Sequence, residues 1–395
     1  MNGKGNRSRH RSGWVRSAAE SPDRVLCLLE GLEFRLPFLN GAEIGWRGHV
    51  ELGHGKAALP STEPPVIRAD VGVFVKWGKM KFEGIYTPLV TPWNDDFSLN
   101  AISLAETVEF LIEAGVHGII VGGTTGEYYA QSAEERIHLM NRVRELIAGR
   151  LPMIVGTGAM RTEESVMFAK AAKAAGADAL LVATPPYTYP TGREIALHAL
   201  AIDRAANLPV MLYNYPGRMS VNMDEECLDR LGRSPNFCAI KESSGDPNRL
   251  HMLARDYPHI ALSCGMDDQA LEFFAWGARS WVCAGSNFAP EAHIALYRAC
   301  AVEGDFTRGR AIMSAMLPLM RVLEGGGAFV QCVKHGLTMR GIDAGPPRKP
   351  MQPLTKNAKR ELEEVIRTMD RAVVTVADAK VAPSNVTDIR SRTGT

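Results

Sequence analysis

From Phe82 onward the chain alternates short apolar segments with amphipathic segments, and this alternation repeats eight times. The apolar segments are rich in β-branched residues and lie at 84–87, 118–121, 153–156, 179–182, 210–213, 238–241, 260–263 and 281–284. The amphipathic segments have the apolar period of helices and lie at 102–114, 133–148, 163–175, 193–206, 224–231, 247–257, 269–276 and 290–300. Strands without polar alternation are buried on both faces, as in parallel sheets covered by helices. The sequence therefore predicts an α/β fold, a (β/α)8 TIM barrel, with an open doubly wound sheet as the alternative.

The ends of the predicted helices have recognisable signals. Ser132 and Glu135 have the spacing of a capping box. The barrel takes residues 82–303, close to the roughly 250 residues typical of this fold. Beyond it, three more segments have a helical period, which predicts a C-terminal helical domain over 304–375. The residues at 376–395 are mostly small and polar, and they predict a flexible tail.

Residues 1–80 differ in composition from the rest of the chain. They contain 12 basic and 8 acidic residues, a net charge of +4, whereas residues 81–395 contain 33 basic and 36 acidic residues, a net charge of −3. Scattered Gly and Pro without an apolar period predict a poorly ordered leader. Four arginines and no acidic residue before Glu20 are also typical of an organellar transit peptide. The other explanation is a reading frame that extends upstream of a true start near Met80.

Composition excludes several classes of function. The formal net charge of the 395 residues is +1, so no bulk positive field exists to attract nucleic acid or an anionic membrane. The seven cysteines are widely spaced and include no C-x-x-C pair, which is typical of buried thiols in a reducing compartment. The apolar stretch at 25–39 is interrupted by charged residues, so we expect neither a membrane span nor secretion. These features predict a cytoplasmic protein with no nucleic-acid or membrane partner.

Candidate functional residues lie where the predicted strands end, since TIM barrels place their chemistry at the C-terminal ends of the strands. Lys241 ends the sixth strand, where desolvation lowers the pKa of an amine as a Schiff-base nucleophile requires. Tyr213 ends the fifth strand and is a candidate proton shuttle that can hydrogen-bond Thr124. The glycine-rich loop at 122–127 offers backbone N–H groups and the hydroxyls of Thr124 and Thr125, which predicts a cradle for a carboxylate or phosphate.

Each of these residues also has a purely structural interpretation. A buried Lys241 could pair with Glu242, and Tyr213 could be a core tyrosine with a satisfied hydroxyl. Lys334 competes as a nucleophile, but its place in the C-terminal helices predicts a surface or packing role. The acidic pair at 267–268 begins a helix, where carboxylates favour the positive end of the dipole. The ten histidines have no H-x-H or H-E-x-x-H spacing, so we expect no metal site.

The motifs that follow these strands are GGTTGE at 122–127, TPPY at 184–187, YNYPGR at 213–218 and KESSGD at 241–246, with Gly265 and Asn287 later in the chain. In this order over residues 82–375, the set resembles the dihydrodipicolinate synthase and N-acetylneuraminate lyase family of class I aldolases. The resemblance implies a (β/α)8 barrel with a C-terminal helical domain, no metal or organic cofactor, and usually a homotetramer built as a dimer of dimers.

The resemblance also implies roles for individual residues. Lys241 is expected to form the imine with pyruvate or another 2-keto acid. Thr124 and Thr125 are expected to hold its carboxylate. Tyr213 matches the general acid and base that relays protons through Thr124, and Tyr187 matches the tyrosine that completes this relay in a neighbouring subunit.

Further matches concern the second substrate. Arg218 corresponds to the arginine at the mouth of the site that binds the carboxylate of that substrate, and the backbone at Gly265 and Val282 corresponds to the pocket lining. Arg218, Tyr187 and the KESSGD motif favour the subgroup that condenses pyruvate with L-aspartate 4-semialdehyde. We therefore expect a lyase whose partners are small 2-keto acids and aldehydes.

Departures from the family pattern leave other functions open. Met266 stands where an acidic residue is usual, and the tyrosines at 128–129 reshape the mouth of the site. Ala133, Met160 and Pro186 occupy positions that bind lysine in feedback-regulated members, so we expect no lysine inhibition. One alternative is a catabolic aldolase or dehydratase for a 2-keto-3-deoxy sugar acid, with the same lysine chemistry. Another is a non-catalytic 2-keto acid sensor, which is disfavoured because binding alone needs no proton relay.

Overall fold

The computed structural model of this chain describes residues 80–378 and the backbone of six strands nearer the N-terminus. The chain divides into two compact units, Met1–Met80 and Lys81–Thr395. No helix in the described part of the chain is both long and apolar enough to cross a membrane.

In the first unit, the described strands form two antiparallel sheets of three strands each. One sheet contains Arg11–Val15, Ala42–Gly48 and Gly72–Trp77, and the other contains Ala18–Ser21, Arg24–Leu29 and Leu32–Pro37. The prediction of a poorly ordered leader covers all of residues 1–80. It stays a prediction, because the positions between these strands lie outside the described residues.

In the described part of the second unit, parallel strands close into an eight-stranded barrel, as predicted. The strands are β1 (Gly84–Pro88), β2 (Gly118–Val121), β3 (Met153–Gly156), β4 (Ala179–Ala183), β5 (Val210–Asn214), β6 (Phe237–Glu242), β7 (Ala261–Cys264) and β8 (Ser280–Val282). Each strand pairs with its sequence neighbours, and β8 pairs with β1 through Trp281 opposite Ile85. This last pairing closes the sheet and excludes the open doubly wound alternative.

Helices connect the strands and cover the outside of the barrel. They are α1 (Ala101–Glu113), α2 (Ala133–Ile147), α3 (Thr162–Ala174), α4 (Gly192–Ala206), α5 (Glu225–Leu231), α6 (Pro247–Asp256), α7 (Ala270–Ala275) and α8 (Pro290–Tyr297). The capping box predicted at Ser132 and Glu135 is present at the start of α2, and Thr191 and Glu194 form a second one before α4. Every residue of β3, β4 and β5 is buried, as expected for strands between a packed barrel interior and a helical layer.

Three helices follow the barrel, α9 (Phe306–Gly325), α10 (Phe329–Thr338) and α11 (Lys356–Asp378). Leu362, Ile366, Met369 and Val373 of α11 are buried at helical spacing, and α11 packs against α9. The helix α11 continues to Asp378, three residues into the segment predicted as a tail. The rest of that segment, 379–395, lies outside the described residues.

Candidate active site

A cavity opens to solvent at the C-terminal ends of the barrel strands. Seven of the eight residues predicted as catalytic or substrate-binding line it, namely Thr124, Thr125, Tyr213, Arg218, Lys241, Gly265 and Val282. The eighth, Tyr187, does not line it.

Lys241 lies on β6 with only 9% of its surface exposed. The register of the sheet places it beside Tyr213 of β5, and its Nζ lies 4.2 Å from the centroid of the Tyr213 ring. Burial lowers the pKa of Lys241, and the nearby carboxylates of Asp267 and Glu324 oppose that effect. A desolvated amine of this kind has a larger fraction in the neutral, nucleophilic form near neutral pH.

A buried ion pair fixes the residue that follows Lys241. The carboxylate of Glu242 accepts a hydrogen bond from Arg249 Nε at 2.6 Å, and both side chains are more than 90% buried. The same carboxylate accepts hydrogen bonds from Asn214 Nδ2 and from the backbone N–H of Ser244. Glu242 thus pairs with Arg249 and not with Lys241, so the amine of Lys241 stays available in the cavity.

Gly265 lets the chain after β7 pass close to the stem of Lys241. A Cβ atom on Gly265 would lie 2.8 Å from Lys241 Cγ, 2.9 Å from the carbonyl oxygen of Glu242 and 2.1 Å from Ser243 Oγ. The Gly265 carbonyl accepts a hydrogen bond from the Ser243 hydroxyl at 2.9 Å, and its N–H donates to the Glu242 carbonyl. Only glycine fits here without displacing a neighbour.

Tyr213 is buried beside Lys241 and lines the cavity together with Thr124. Burial raises the pKa of Tyr213 well above its usual value, and Arg218 and Thr124 reduce that shift. The phenol therefore stays protonated near neutral pH and can donate its proton to an oxygen atom bound near Lys241.

The buried side chain of Glu127 fixes the end of the loop that contains Thr124 and Thr125. The Glu127 carboxylate is fully buried and accepts hydrogen bonds from Trp93 Nε1 at 3.0 Å and from the backbone N–H of Arg348 at 2.7 Å. Lys334 Nζ lies 3.2 Å from Glu127 Oε1 and donates to two backbone carbonyl groups. Lys334 is thus a buried packing residue outside the cavity and not a surface residue, which decides between the two roles predicted for it.

The mouth of the cavity is formed partly by Arg218, Tyr215 and Phe329. Arg218 is exposed on a one-turn helix, Pro216–Met219, that follows β5. Its guanidinium carbon lies 5.4 Å from the ring centroid of Tyr215 and 5.8 Å from that of Phe329. These aromatic faces support a guanidinium that remains open to solvent and to an incoming anion.

Two acidic residues in the lining were not predicted as site residues. Asp267 is 3% exposed and accepts a hydrogen bond from Trp281 Nε1 at 2.9 Å. Burial raises the pKa of Asp267 to about 7. The interpretation of Asp267 as a simple helix-start residue thus misses its place in the cavity. Glu324 comes from the end of α9, where the only sequence signal is the glycine triplet that follows it.

Tyr187 lies apart from these residues in the same chain. It is 79% exposed, in the loop after β4, with a left-handed φ of 74°. Its predicted role is in a neighbouring subunit, and that role stays a prediction.

A buried lysine at a barrel-strand end, with a phenol beside it and hydroxyl groups opposite, defines the class of Schiff-base aldolases. The model of the dihydrodipicolinate synthetase family matches residues 81–369, and this chain belongs to that family.

The sequence similarity of this chain to other proteins extends over most of its length. The chain is 37% identical over 290 residues to the 4-hydroxy-tetrahydrodipicolinate synthase of Alcanivorax borkumensis, covering 72% of this chain and 96% of that one. It is 32% identical over 293 residues to the enzyme of the same name from Methanosphaerula palustris, covering 73% of this chain and 100% of that one. Among solved structures, the dihydrodipicolinate synthase of Acinetobacter baumannii, complexed with pyruvate, matches with 31% identity and a TM-score of 0.69. That match covers 73% of this chain and 99% of the other.

Proposed function

We propose that this protein condenses pyruvate with L-aspartate 4-semialdehyde to form 4-hydroxy-tetrahydrodipicolinate, through an imine on Lys241. The observation that supports this most is the buried amine of Lys241, 4.2 Å from the Tyr213 ring, in a cavity that also contains Thr124, Thr125 and Arg218. Relatives at 31–37% identity have this activity in their names.

In the first step, the neutral amine of Lys241 attacks the keto carbon of pyruvate. Thr124 and Thr125 hold the pyruvate carboxylate through hydroxyl and backbone N–H groups, which orients the keto carbon toward Nζ. Tyr213 donates a proton to the carbinolamine oxygen, water leaves, and the imine forms. The positive iminium nitrogen lies near Asp267, whose carboxylate balances that charge.

In the second step, the iminium withdraws electrons and makes the pyruvyl methyl group acidic. The Tyr213 phenolate left by the first step accepts one methyl proton, which gives an enamine. The enamine attacks the aldehyde carbon of the second substrate and forms the new C–C bond. The phenol of Tyr213 can protonate the resulting alkoxide. The amine of the second substrate then attacks the imine carbon, which closes the ring and releases Lys241.

A second candidate is an aldolase or dehydratase for a 2-keto-3-deoxy sugar acid. It is favoured by Met266, which lines the cavity where family members usually have an acidic residue. This candidate uses the same imine chemistry on Lys241 and differs only in the aldehyde or sugar acid that enters the mouth.

The assembly and setting of the enzyme also belong to this proposal. A homotetramer would allow Tyr187 to reach the site of a neighbouring subunit, because its side chain is highly exposed in the single chain. We further propose that the enzyme works in the cytoplasm and needs no cofactor beyond the covalent imine.

Borohydride trapping tests the shared chemistry. Incubation with pyruvate and sodium borohydride should increase the protein mass by one reduced pyruvyl group, and peptide mapping should locate it on Lys241. Lys241→Ala should abolish the adduct, whereas Lys170→Ala, at an exposed lysine of α3, should retain it. No adduct in the native protein, or an adduct that persists in Lys241→Ala, would contradict the mechanism.

Turnover tests the substrate. With pyruvate present, L-aspartate 4-semialdehyde should be consumed faster than sugar-acid aldols are cleaved or dehydrated. Faster reaction of the sugar acids would replace the first candidate with the second.

A further inference from the structure

The mouth of the cavity has one anionic and one cationic side chain, Glu324 and Arg218. Both line the cavity and both are exposed, in contrast to the buried Lys241 and Thr125 deeper inside. Arg218 belongs to the barrel, whereas Glu324 comes from the end of α9 in the C-terminal helical domain. Neither forms an ion pair within 4 Å with another residue of the described part of the chain.

The carboxylate of Glu324 acts on the interior of the cavity. Its negative charge opposes the burial that lowers the pKa of Lys241, and it adds to the burial that raises the pKa of Tyr213 and Tyr215. Burial also raises the pKa of Glu324, and the positive charges of Arg218 and Lys241 reduce that shift. Glu324 lines the same cavity as Lys241 and Tyr213, although it comes from the C-terminal helical domain and they come from the barrel.

The charges at the mouth match those of an α-amino acid. L-aspartate 4-semialdehyde has an aldehyde, which must reach the pyruvyl carbon on Lys241, and also a carboxylate and an ammonium group. Arg218 can bind the carboxylate, which leaves the ammonium group without a partner unless an acceptor lies nearby. Leaving a charged group unpaired in a partly desolvated site is costly, so an anionic acceptor is needed.

We propose that Glu324 binds the ammonium group of the second substrate, so that the C-terminal helical domain supplies a specificity-determining residue to the barrel site. This inference rests on the proposed function, since it assumes an aldehyde substrate with an amino group. Arg218 and Glu324 then recognise the two charged ends of the same amino acid, while the aldehyde points toward Lys241.

The experiment compares L-aspartate 4-semialdehyde with succinate semialdehyde, which has the same aldehyde and carboxylate but lacks the ammonium group. Each is assayed with pyruvate, as a substrate or as a competitive inhibitor, in the native enzyme and in Glu324→Gln. We expect kcat/KM for aspartate semialdehyde to fall about 10- to 100-fold in Glu324→Gln, the usual effect of losing one charge-assisted hydrogen bond. Succinate semialdehyde should react or inhibit about equally in both proteins.

Asp268→Asn is the matched control. Asp268 is exposed and acts electrostatically on Glu324, but it does not line the cavity. Its substitution removes one nearby negative charge and should leave the preference between the two aldehydes unchanged. Retention of the pyruvyl adduct in Glu324→Gln shows that the variant is folded and still forms the imine.

Two results would overturn the inference. One is an equal loss on both aldehydes in Glu324→Gln, which would mean a general electrostatic role, and the other is no loss on either. Failure of the proposed function gives a different result, because the native enzyme would then form the pyruvyl adduct but fail to consume aspartate semialdehyde.

Discussion

Substitution of Gly265 by alanine tests how closely the structure positions Lys241. The added methyl carbon would lie 2.8 Å from Lys241 Cγ, which is 0.6 Å closer than the 3.4 Å at which ordinary van der Waals contact begins. The Ser243 hydroxyl can rotate away, but the Glu242 carbonyl, 2.9 Å from the same position, belongs to the β6 backbone. The stem of Lys241 must therefore move.

A displacement of this size should affect catalysis more than stability. Misplacement of a reacting group by about 1 Å can reduce the rate about 100-fold, so we expect kcat to fall by roughly that factor. Overpacking of a tight site should reduce the free energy of unfolding by about 1–3 kcal/mol. The assays are steady-state turnover, the rate of pyruvate trapping by borohydride, and urea denaturation.

Gly232→Ala is the control, since Gly232 is exposed, has a helical φ of −56°, and a Cβ there would meet no atom closer than 3.7 Å. It should change neither kcat nor the unfolding free energy by more than about 0.5 kcal/mol. Native turnover and native trapping rates in Gly265→Ala would refute the argument that glycine is needed to place Lys241.

Three further predictions follow from the site and the core. Tyr213→Phe should reduce kcat about 10²- to 10⁴-fold and should slow formation of the pyruvyl adduct without abolishing it, and native turnover would exclude Tyr213 as the proton donor. Asp267→Asn removes a negative charge that opposes the lowering of the Lys241 pKa, so the pKa of Lys241 should fall further in this variant. The rate of pyruvate trapping increases with pH as Lys241 deprotonates, and we expect this increase to occur at lower pH than in the native protein. An unchanged pH profile, or a shift to higher pH, would contradict this prediction. Burial lowers the pKa of His198 and His293 from 6.5 to about 4, so these histidines bind protons at higher pH in the unfolded chain than in the folded protein. The free energy of unfolding should therefore fall as the pH drops from about 6.5 to about 4. His198→Gln should weaken that fall in urea titrations, and an unchanged slope would argue against a buried neutral imidazole.

Much of the site could be predicted because a parallel barrel aligns all strand ends on one side. Once the strands were located, Lys241 of β6 and Tyr213 of β5 had to be neighbours, and the sheet register pairs these two residues. The loop of Thr124 and Thr125 follows β2 on the same side of the barrel. Sequence neighbours in this fold become spatial neighbours, so local patterns were sufficient.

Groups that act across long sequence separations could not be predicted in this way. Glu324 is more than 80 residues from Lys241 in the sequence, and nothing in α9 shows that its last turn faces the barrel mouth. Lys334 is likewise placed only by the packing of α10 against the loop of Glu127. Asp267 could be identified in the sequence as a carboxylate at the start of a helix, but such carboxylates are common. Only its buried hydrogen bond to Trp281 distinguishes it from them.

The sequence by itself determined the barrel, because apolar period and strand length are local properties and they recur in all eight repeats. It also predicted that Lys241 and Tyr213 lie side by side in one site, since both lie at the C-terminal ends of their strands. Only the tertiary structure determined which charged groups surround Lys241. These are the ion pair of Glu242 with Arg249, the buried Asp267, and Glu324 at the mouth of the cavity. Electrostatic effects depend on distance and burial in space, and these are fixed only when the chain is fully packed.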